Sequence, residues 1–122
     1  MKIYVTGLGV ISGIGIGVSE NIEALKQKRH GIGKVTLFPT ALDVPVSEVK
    51  CDNEKLKQLL SLSPLQTVSR TALLGMMAAK EALEDAGLPM QGTRNTPQQQ
   101  PLRIGFISAT SVGGMDLSEH FY

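Results

Sequence analysis

The chain opens with Lys2-Ile3-Tyr4-Val5-Thr6-Gly7-Leu8-Gly9-Val10-Ile11-Ser12-Gly13-Ile14-Gly15-Ile16-Gly17, a β-prone run followed by closely spaced glycines. The continuous run over 2–6 predicts a short strand that is covered on both faces. Because glycine carries no Cβ, the residues that follow allow two backbone segments to approach closely. We therefore expect a buried strand that leads into a turn, with its glycines packed against the strand and a helix.

A glycine-rich turn between a strand and a helix is also what a dinucleotide site requires. The spacing does not fit, because a pattern that begins with Gly7 and Gly9 needs glycine at position 12, which is Ser12. The short-chain dehydrogenase pattern needs glycine at position 11, which is Ile11. An NAD(P)-binding oxidoreductase is therefore the less favoured alternative.

Apolar periodicity and capping residues predict three helices and a second buried strand downstream. The longest helix, from Ser63 to Ala86, is apolar nearly all round in its middle and should be buried on more than one side. Gly87 is expected to end it, and Gly31 to end the first helix. The predicted order is a helix over 19–30, an irregular stretch over 33–51 with at most a short edge strand among its valines, a brief helix over 53–62 with its leucines inward, the helix over 63–86, a flexible loop over about 89–101, a strand over 102–108 and the start of a helix over 117–122.

Strands that alternate with helices predict an α/β fold with parallel core strands flanked by helices. Only two core strands are evident, whereas a sheet usually contains about four to six. The chain therefore resembles part of a domain, and sheet edges and helix faces should remain exposed.

Composition excludes several classes of function. The 12 basic and 11 acidic residues give a net charge of +1, which provides no electrostatic reason to expect nucleic acid or an anionic membrane as a partner. Cys51 is the single cysteine, so no internal disulfide can form and a structural metal site is not expected. The glycines disfavour a helical signal peptide, and no segment has the ~20 apolar residues that span a bilayer. We expect a cytoplasmic protein.

Four blocks of the sequence resemble the β-ketoacyl-acyl-carrier-protein synthases, the condensing enzymes with a thiolase-like fold. They occur in the family order, and together they cover nearly the whole chain. The blocks are Val5-Thr6-Gly7-Leu8-Gly9-Val10-Ile11-Ser12, then Gly31-Ile32-Gly33 with Leu37-Phe38, then Ala78-Ala79-Lys80-Glu81-Ala82-Leu83-Glu84-Asp85-Ala86-Gly87-Leu88, and finally Arg103-Ile104-Gly105 leading to Gly113-Gly114-Met115.

The resemblance implies that residues 1–122 are the incomplete N-terminal part of a ketosynthase domain. The family's nucleophilic cysteine, its two histidines and a supporting lysine lie further along such proteins, so we expect no catalytic residue and no activity in this chain. The complete enzyme would join an acyl thioester to malonyl-acyl carrier protein by decarboxylative Claisen condensation, in fatty acid or polyketide synthesis. It would act as a homodimer with acyl carrier protein as its partner, without a cofactor or metal of its own. Because the strand follows Met1, we expect a stand-alone protein, and a non-catalytic chain-length-factor-like partner is the alternative.

One site element is implied by the resemblance. In the family, the glycine-rich turn after the second strand lines the acyl pocket, and a branched apolar residue before the paired glycines acts as a gate. Val112, Gly113 and Gly114 occupy these positions, although Val112 could equally pack against the core. Cys51 and His30 lack the spacing of a catalytic or metal site, as does His120.

Overall fold

The computed structural model describes residues 1–88 and 104–118. Its strands form two separate two-stranded sheets, and both are antiparallel. The elements follow in the order β1 (Ile11–Ser12), β2 (Gly15–Ile16), α1 (Val18–Lys26), β3 (Ile32–Gly33), β4 (Val46–Ser47), α2 (Asn53–Leu59), α3 (Arg70–Asp85) and α4 (Met115–Ser118).

The glycine-rich stretch folds as a tight hairpin of β1 and β2, in which Ser12 pairs with Gly15. The side chain of Asn21, in α1, holds this hairpin through hydrogen bonds. Its Nδ2 donates to the carbonyl oxygens of Gly15 at 2.9 Å and Gly17 at 2.8 Å, and its Oδ1 accepts from the Ser12 hydroxyl. Asn21 is buried, and these bonds satisfy its amide, so the hairpin and α1 form one unit.

Helix α1 differs from its prediction at both ends. It begins at Val18 rather than after a Ser19 cap, because Gly17 adopts a φ of 92° and takes the N-cap position without a side-chain cap. It ends at Lys26 rather than at His30, which lies beyond the helix and is exposed.

Helices α1, α2 and α3 each end in a Schellman motif, in which a residue with left-handed backbone conformation follows the C-cap. Gly87 serves this purpose after α3, as predicted, but Lys28 replaces the predicted Gly31 after α1. The left-handed residues are Lys28, Ser61 and Gly87, with φ of 53°, 56° and 66°. The closing bonds run from Arg29 N–H to Ala24 O at 2.8 Å, from Leu62 N–H to Lys57 O at 2.9 Å and from Leu88 N–H to Leu83 O at 2.8 Å.

The predicted edge strand in the irregular region is confirmed as β4. It pairs with β3, so that Gly33 lies opposite Val46 and Ile32 opposite Ser47.

Helix α3 is shorter than predicted. It begins at Arg70, and Ser69 is its N-cap, with a hydroxyl that accepts from Ala72 N–H at 3.2 Å. Ser63, the predicted cap, instead begins a turn closed by a bond from Gln66 N–H to Ser63 O at 3.0 Å. Two serines fit the same capping pattern, and the proline after the first one is equally suited to a turn.

A small core lies between α2 and α3. Leu56 and Leu73 are completely buried, and Cys51 completes the cluster with 8% of its surface exposed. Leu59, also predicted to point inward, is exposed.

Within the described residues, the predicted parallel core strands do not form. Residues 2–6 and 104–108 join no sheet, and Tyr4 and Phe106 are 73% and 81% exposed. For the same reason α3 is not buried on several sides: Leu73 is its one fully buried residue. A strand needs at least one hydrogen-bonded neighbour, and the described residues of these two segments have none. The predicted loop over 89–101, the start of the second strand and residues 119–122 lie outside the described part.

Candidate functional site

An open groove of about 550 Å³ separates α3 from the segment that follows residue 104. Most of its wall is apolar. The segment contributes Phe106 and three consecutive residues, Ser108, Ala109 and Thr110. Helix α3 contributes Ala72, Gly75, Met76 and Ala79, which share one face because they are three and four residues apart.

Gly75 keeps the helix side of the groove open. A Cβ added to it would meet no atom within 4 Å, so any side chain at this position would project into free space. The small residues of this face therefore leave room for an apolar group between the helix and the segment.

Two of the three predicted site residues line the groove. Gly113 packs so closely that an added Cβ would lie 2.8 Å from Thr110 Cγ2 and 3.1 Å from Thr71 Cγ2. Gly114 has a φ of 90°, which favours glycine. Val112 does not line the groove and is 63% exposed. The structure thus brings the paired glycines to the groove and places Val112 outside it.

The predicted close packing of the N-terminal glycines against a helix is confirmed, and that helix is α3, whereas the buried strand predicted beside them does not form. A Cβ added to Gly7 would overlap the Ala82 carbonyl oxygen and lie 2.9 Å from Ala86 Cβ. An added Cβ on Gly9 would overlap the carbonyl oxygen of Ala78, one turn earlier.

Two carboxylates of α3 secure this contact, and sequence reasoning did not identify them. Asp85 Oδ2 accepts from Leu8 N–H at 2.9 Å. Glu81 accepts from two amides, Val10 N–H at Oε2 (2.9 Å) and Val18 N–H at Oε1 (2.6 Å). The signal in the sequence is the charged end of an otherwise apolar helix, which is equally typical of a solvated face.

A third carboxylate organises the β3–β4 region. Glu48 accepts from the hydroxyl and the amide N–H of Thr36. The hydroxyl bond is the largest cause that lowers the pKa of Glu48 below its ordinary value, because it favours the ionised form.

Cys51 is a core residue rather than a reactive thiol. It packs against Leu56 and Leu73, and its carbonyl oxygen accepts from Arg70 Nη1 at 2.9 Å. Arg70 also donates to Val49 O at 2.8 Å.

Neither histidine contributes to a described site: His30 is exposed, and His120 lies outside the described residues. Within residues 1–88 and 104–118, no three metal-ligating side chains cluster together. None of the helices in this part of the chain is long and apolar enough to cross a membrane.

Comparison with known proteins now identifies the family. Two of its relatives are polyketide β-ketoacyl synthases, from Streptomyces halstedii (29% identical) and Streptomyces cyaneus (31% identical). Each match covers 99% of this chain and 27% of the relative. A third relative, the 3-oxoacyl-[acyl-carrier-protein] synthase 2 of Coxiella burnetii, is 30% identical, and the match covers 99% of this chain and 28% of the relative. This chain thus spans little more than a quarter of their length. No solved structure matches it significantly. The family model described as the N-terminal domain of β-ketoacyl synthase matches residues 1–120, so the chain belongs to the β-ketoacyl synthase family, whose fold is of the thiolase-like α/β class.

Proposed function

We propose that this chain is the N-terminal part of a β-ketoacyl synthase that acts in fatty acid or polyketide synthesis. The complete protein condenses an acyl thioester with malonyl-acyl carrier protein, releasing carbon dioxide. The observation that carries this proposal is the family match over residues 1–120. Relatives named for both polyketide and acyl-carrier-protein synthases support the reaction class and the carrier protein as partner.

The 122-residue chain is proposed to be a scaffold without condensing activity of its own. The reaction requires a thiolate that can hold the acyl group as a thioester. Cys51 does not suit this role, because it is buried among leucines in the core between α2 and α3. The nucleophile and its assisting histidines therefore belong to the remainder of the complete protein.

The parallel core strands are likewise proposed for the complete protein. Residues 2–6 and 102–108 have β-prone sequences. Within the described part of the chain, their large apolar side chains are exposed and the segments join no sheet. Additional strands of a thiolase-like domain would satisfy their backbone groups and cover α3. A cytoplasmic homodimer is part of the same proposal.

We assign the acyl chain of the substrate to the turn formed by Val112, Gly113 and Gly114. The glycines line an apolar groove in which an alkyl chain would lose contact with water. Val112 precedes them and lies outside the groove. A change of its side chain can therefore alter access to the groove without disturbing the groove wall.

The reaction is tested by incubating the complete protein with acyl- and malonyl-carrier protein and measuring β-ketoacyl-carrier protein by mass spectrometry. We expect product from the complete protein and neither product nor an acyl adduct from the 122-residue chain. A complete protein that binds carrier protein but forms no product would instead indicate a chain-length-factor-like partner. Saturable NADPH binding in calorimetry would favour an oxidoreductase.

The acyl site is tested in the complete protein by Val112→Ala and Val112→Phe. We expect the smaller residue to favour longer acyl chains and the larger one to favour shorter chains. Val44→Phe, at another exposed valine outside the groove, is the matched control and should leave the product profile unchanged. Identical profiles for all variants would refute the assignment of Val112.

A further inference from the structure

We propose that Gly75 determines which acyl chain lengths the complete protein accepts, because the acyl chain runs along α3 from the paired glycines and a long chain must pass this residue. This role rests on the proposed function, which places an acyl chain in the groove between α3 and the segment after residue 104. It adds the direction of that chain and the residue that limits its length.

The walls of the groove fit an uncharged, apolar ligand. None of the described residues that line it carries a charge, so a phosphate or a carboxylate would find no cation there. Phe106 is 81% exposed and Met76 is 40% exposed. An alkyl chain that lies against these two side chains would remove their surfaces from water, which is favourable.

The two ends of the groove differ in polarity. Gly113 lies beside the beginning of α3, since a Cβ added to it would be 3.1 Å from Thr71 Cγ2. Thr71 and Thr110 contribute hydroxyl groups at this end, whereas Met76 and Ala79, further along α3, have none. The polar thioester therefore suits the glycine end, and the methyl end of the acyl chain points towards Ala79.

Gly75 lies between these ends. It is about 6 Å along the helix axis beyond Thr71, and Ala79 is about 6 Å beyond Gly75. A Cβ added to Gly75 would meet no side chain or neighbouring segment within 4 Å, so a larger residue here would project into the groove. A short acyl chain ends before Gly75 and would not be affected, whereas a long chain would collide with the new side chain.

The test measures the binding of unreactive ligands to the complete protein, so it does not require condensing activity. Calorimetry with amide analogues of butyryl- and dodecanoyl-pantetheine gives a Kd for each chain length. We expect Gly75→Leu to weaken binding of the dodecanoyl analogue at least about tenfold, because each methylene kept out of an apolar site lowers affinity about fourfold. The butyryl analogue should bind unchanged, and Gly75→Ala should give a smaller loss.

Gly33→Leu is the matched control. A Cβ added to Gly33 likewise meets nothing within 4 Å, and Gly33 lies in β3, outside the groove. This variant should leave both affinities unchanged. Leucine favours helix, so Gly75→Leu should keep α3 intact, which circular dichroism checks.

Four results would overturn the proposal: no binding of the dodecanoyl analogue to the unsubstituted protein, unchanged dodecanoyl affinity in Gly75→Leu, equal losses for both analogues, or unfolding of Gly75→Leu, which would show that protein fills the groove. A complete protein that forms no condensation product but shows the length-dependent loss would refute the proposed reaction and support the role of Gly75 in acyl binding.

Discussion

Gly9 lies against the backbone of Ala78 so closely that an added Cβ would overlap the Ala78 carbonyl oxygen. The same Cβ would stand 2.8 Å from the Ala82 nitrogen. Both obstacles belong to the backbone of α3, which cannot move aside as a flexible side chain can. The N-terminal segment and α3 therefore meet at a distance that glycine alone permits.

This relationship predicts opposite effects for two glycine-to-alanine changes. Gly9→Ala should lower the free energy of unfolding by about 1–3 kcal/mol, as expected for overpacking. Gly75→Ala should raise it by up to about 1 kcal/mol, because Gly75 lies inside α3 with free space around it and alanine favours helix. Urea unfolding followed by circular dichroism measures both, and equal effects would contradict the close contact.

The small core predicts that the free energy of unfolding depends strongly on its buried leucines. Leu73→Ala should lower the free energy of unfolding by about 2–5 kcal/mol, since Leu73 is completely buried and its removal leaves a cavity. Leu65→Ala, at a residue that is 94% exposed, is the control and should change it by less than about 0.5 kcal/mol. The same denaturant experiment decides, and similar losses would argue against the α2–α3 core.

The hydrogen bonds of Arg70 predict that a positive charge alone cannot replace its guanidinium group. Its two terminal nitrogens reach Val49 O, Cys51 O and Asn53 Oδ1, and a single ammonium cannot repeat this fork. Arg70→Lys should cost about 1–3 kcal/mol, measured as the shift in the denaturant midpoint. The exposed Arg29→Lys is the control. No difference between the two would refute a bridging role for Arg70.

The lowered pKa of Glu48 predicts that its contact with Thr36 depends on pH. The folded state lowers the pKa of Glu48, chiefly through the Thr36 hydroxyl, so its stabilising effect is present above the ordinary value of 4.5 and is lost as the pH falls through the lowered value. Thr36→Val should raise the pKa of Glu48 toward its ordinary value.

Titration of the Glu48 side chain by nuclear magnetic resonance measures this shift. The control is Thr40→Val, which removes a hydroxyl that accepts from Leu42 N–H and has no bond to Glu48. An unchanged titration in Thr36→Val would show that the hydroxyl does not set the pKa.

The helices were largely predictable because their signals are local. Apolar spacing indicated α1, α2 and α3, and Gly87 was recognised as the end of α3. Helix boundaries were less predictable. Lys28 adopts the left-handed conformation although Gly31 is the better intrinsic candidate, because the closing bonds from Lys28 and Arg29 fit the last turn of α1.

The candidate site was predictable in part, for a different physical reason. The paired glycines at 113 and 114 could be assigned from the resemblance. The groove beside them could not, because it depends on which face α3 presents. The functions of Glu81 and Asp85 could not be read from the sequence, since their partners are backbone amides, which every residue carries. The β-prone residues 2–6 show the converse: propensity alone does not make a strand when no neighbour is present.

The hydrogen bond from Val10 N–H to Glu81 also bears on how the protein is synthesised. The two residues are 71 positions apart, and ribosomes add about 5–20 residues per second, so the N-terminal segment emerges roughly 4–14 s before its acceptor. During that interval its apolar residues have no native surface to join, so they stay exposed until α3 has been synthesised.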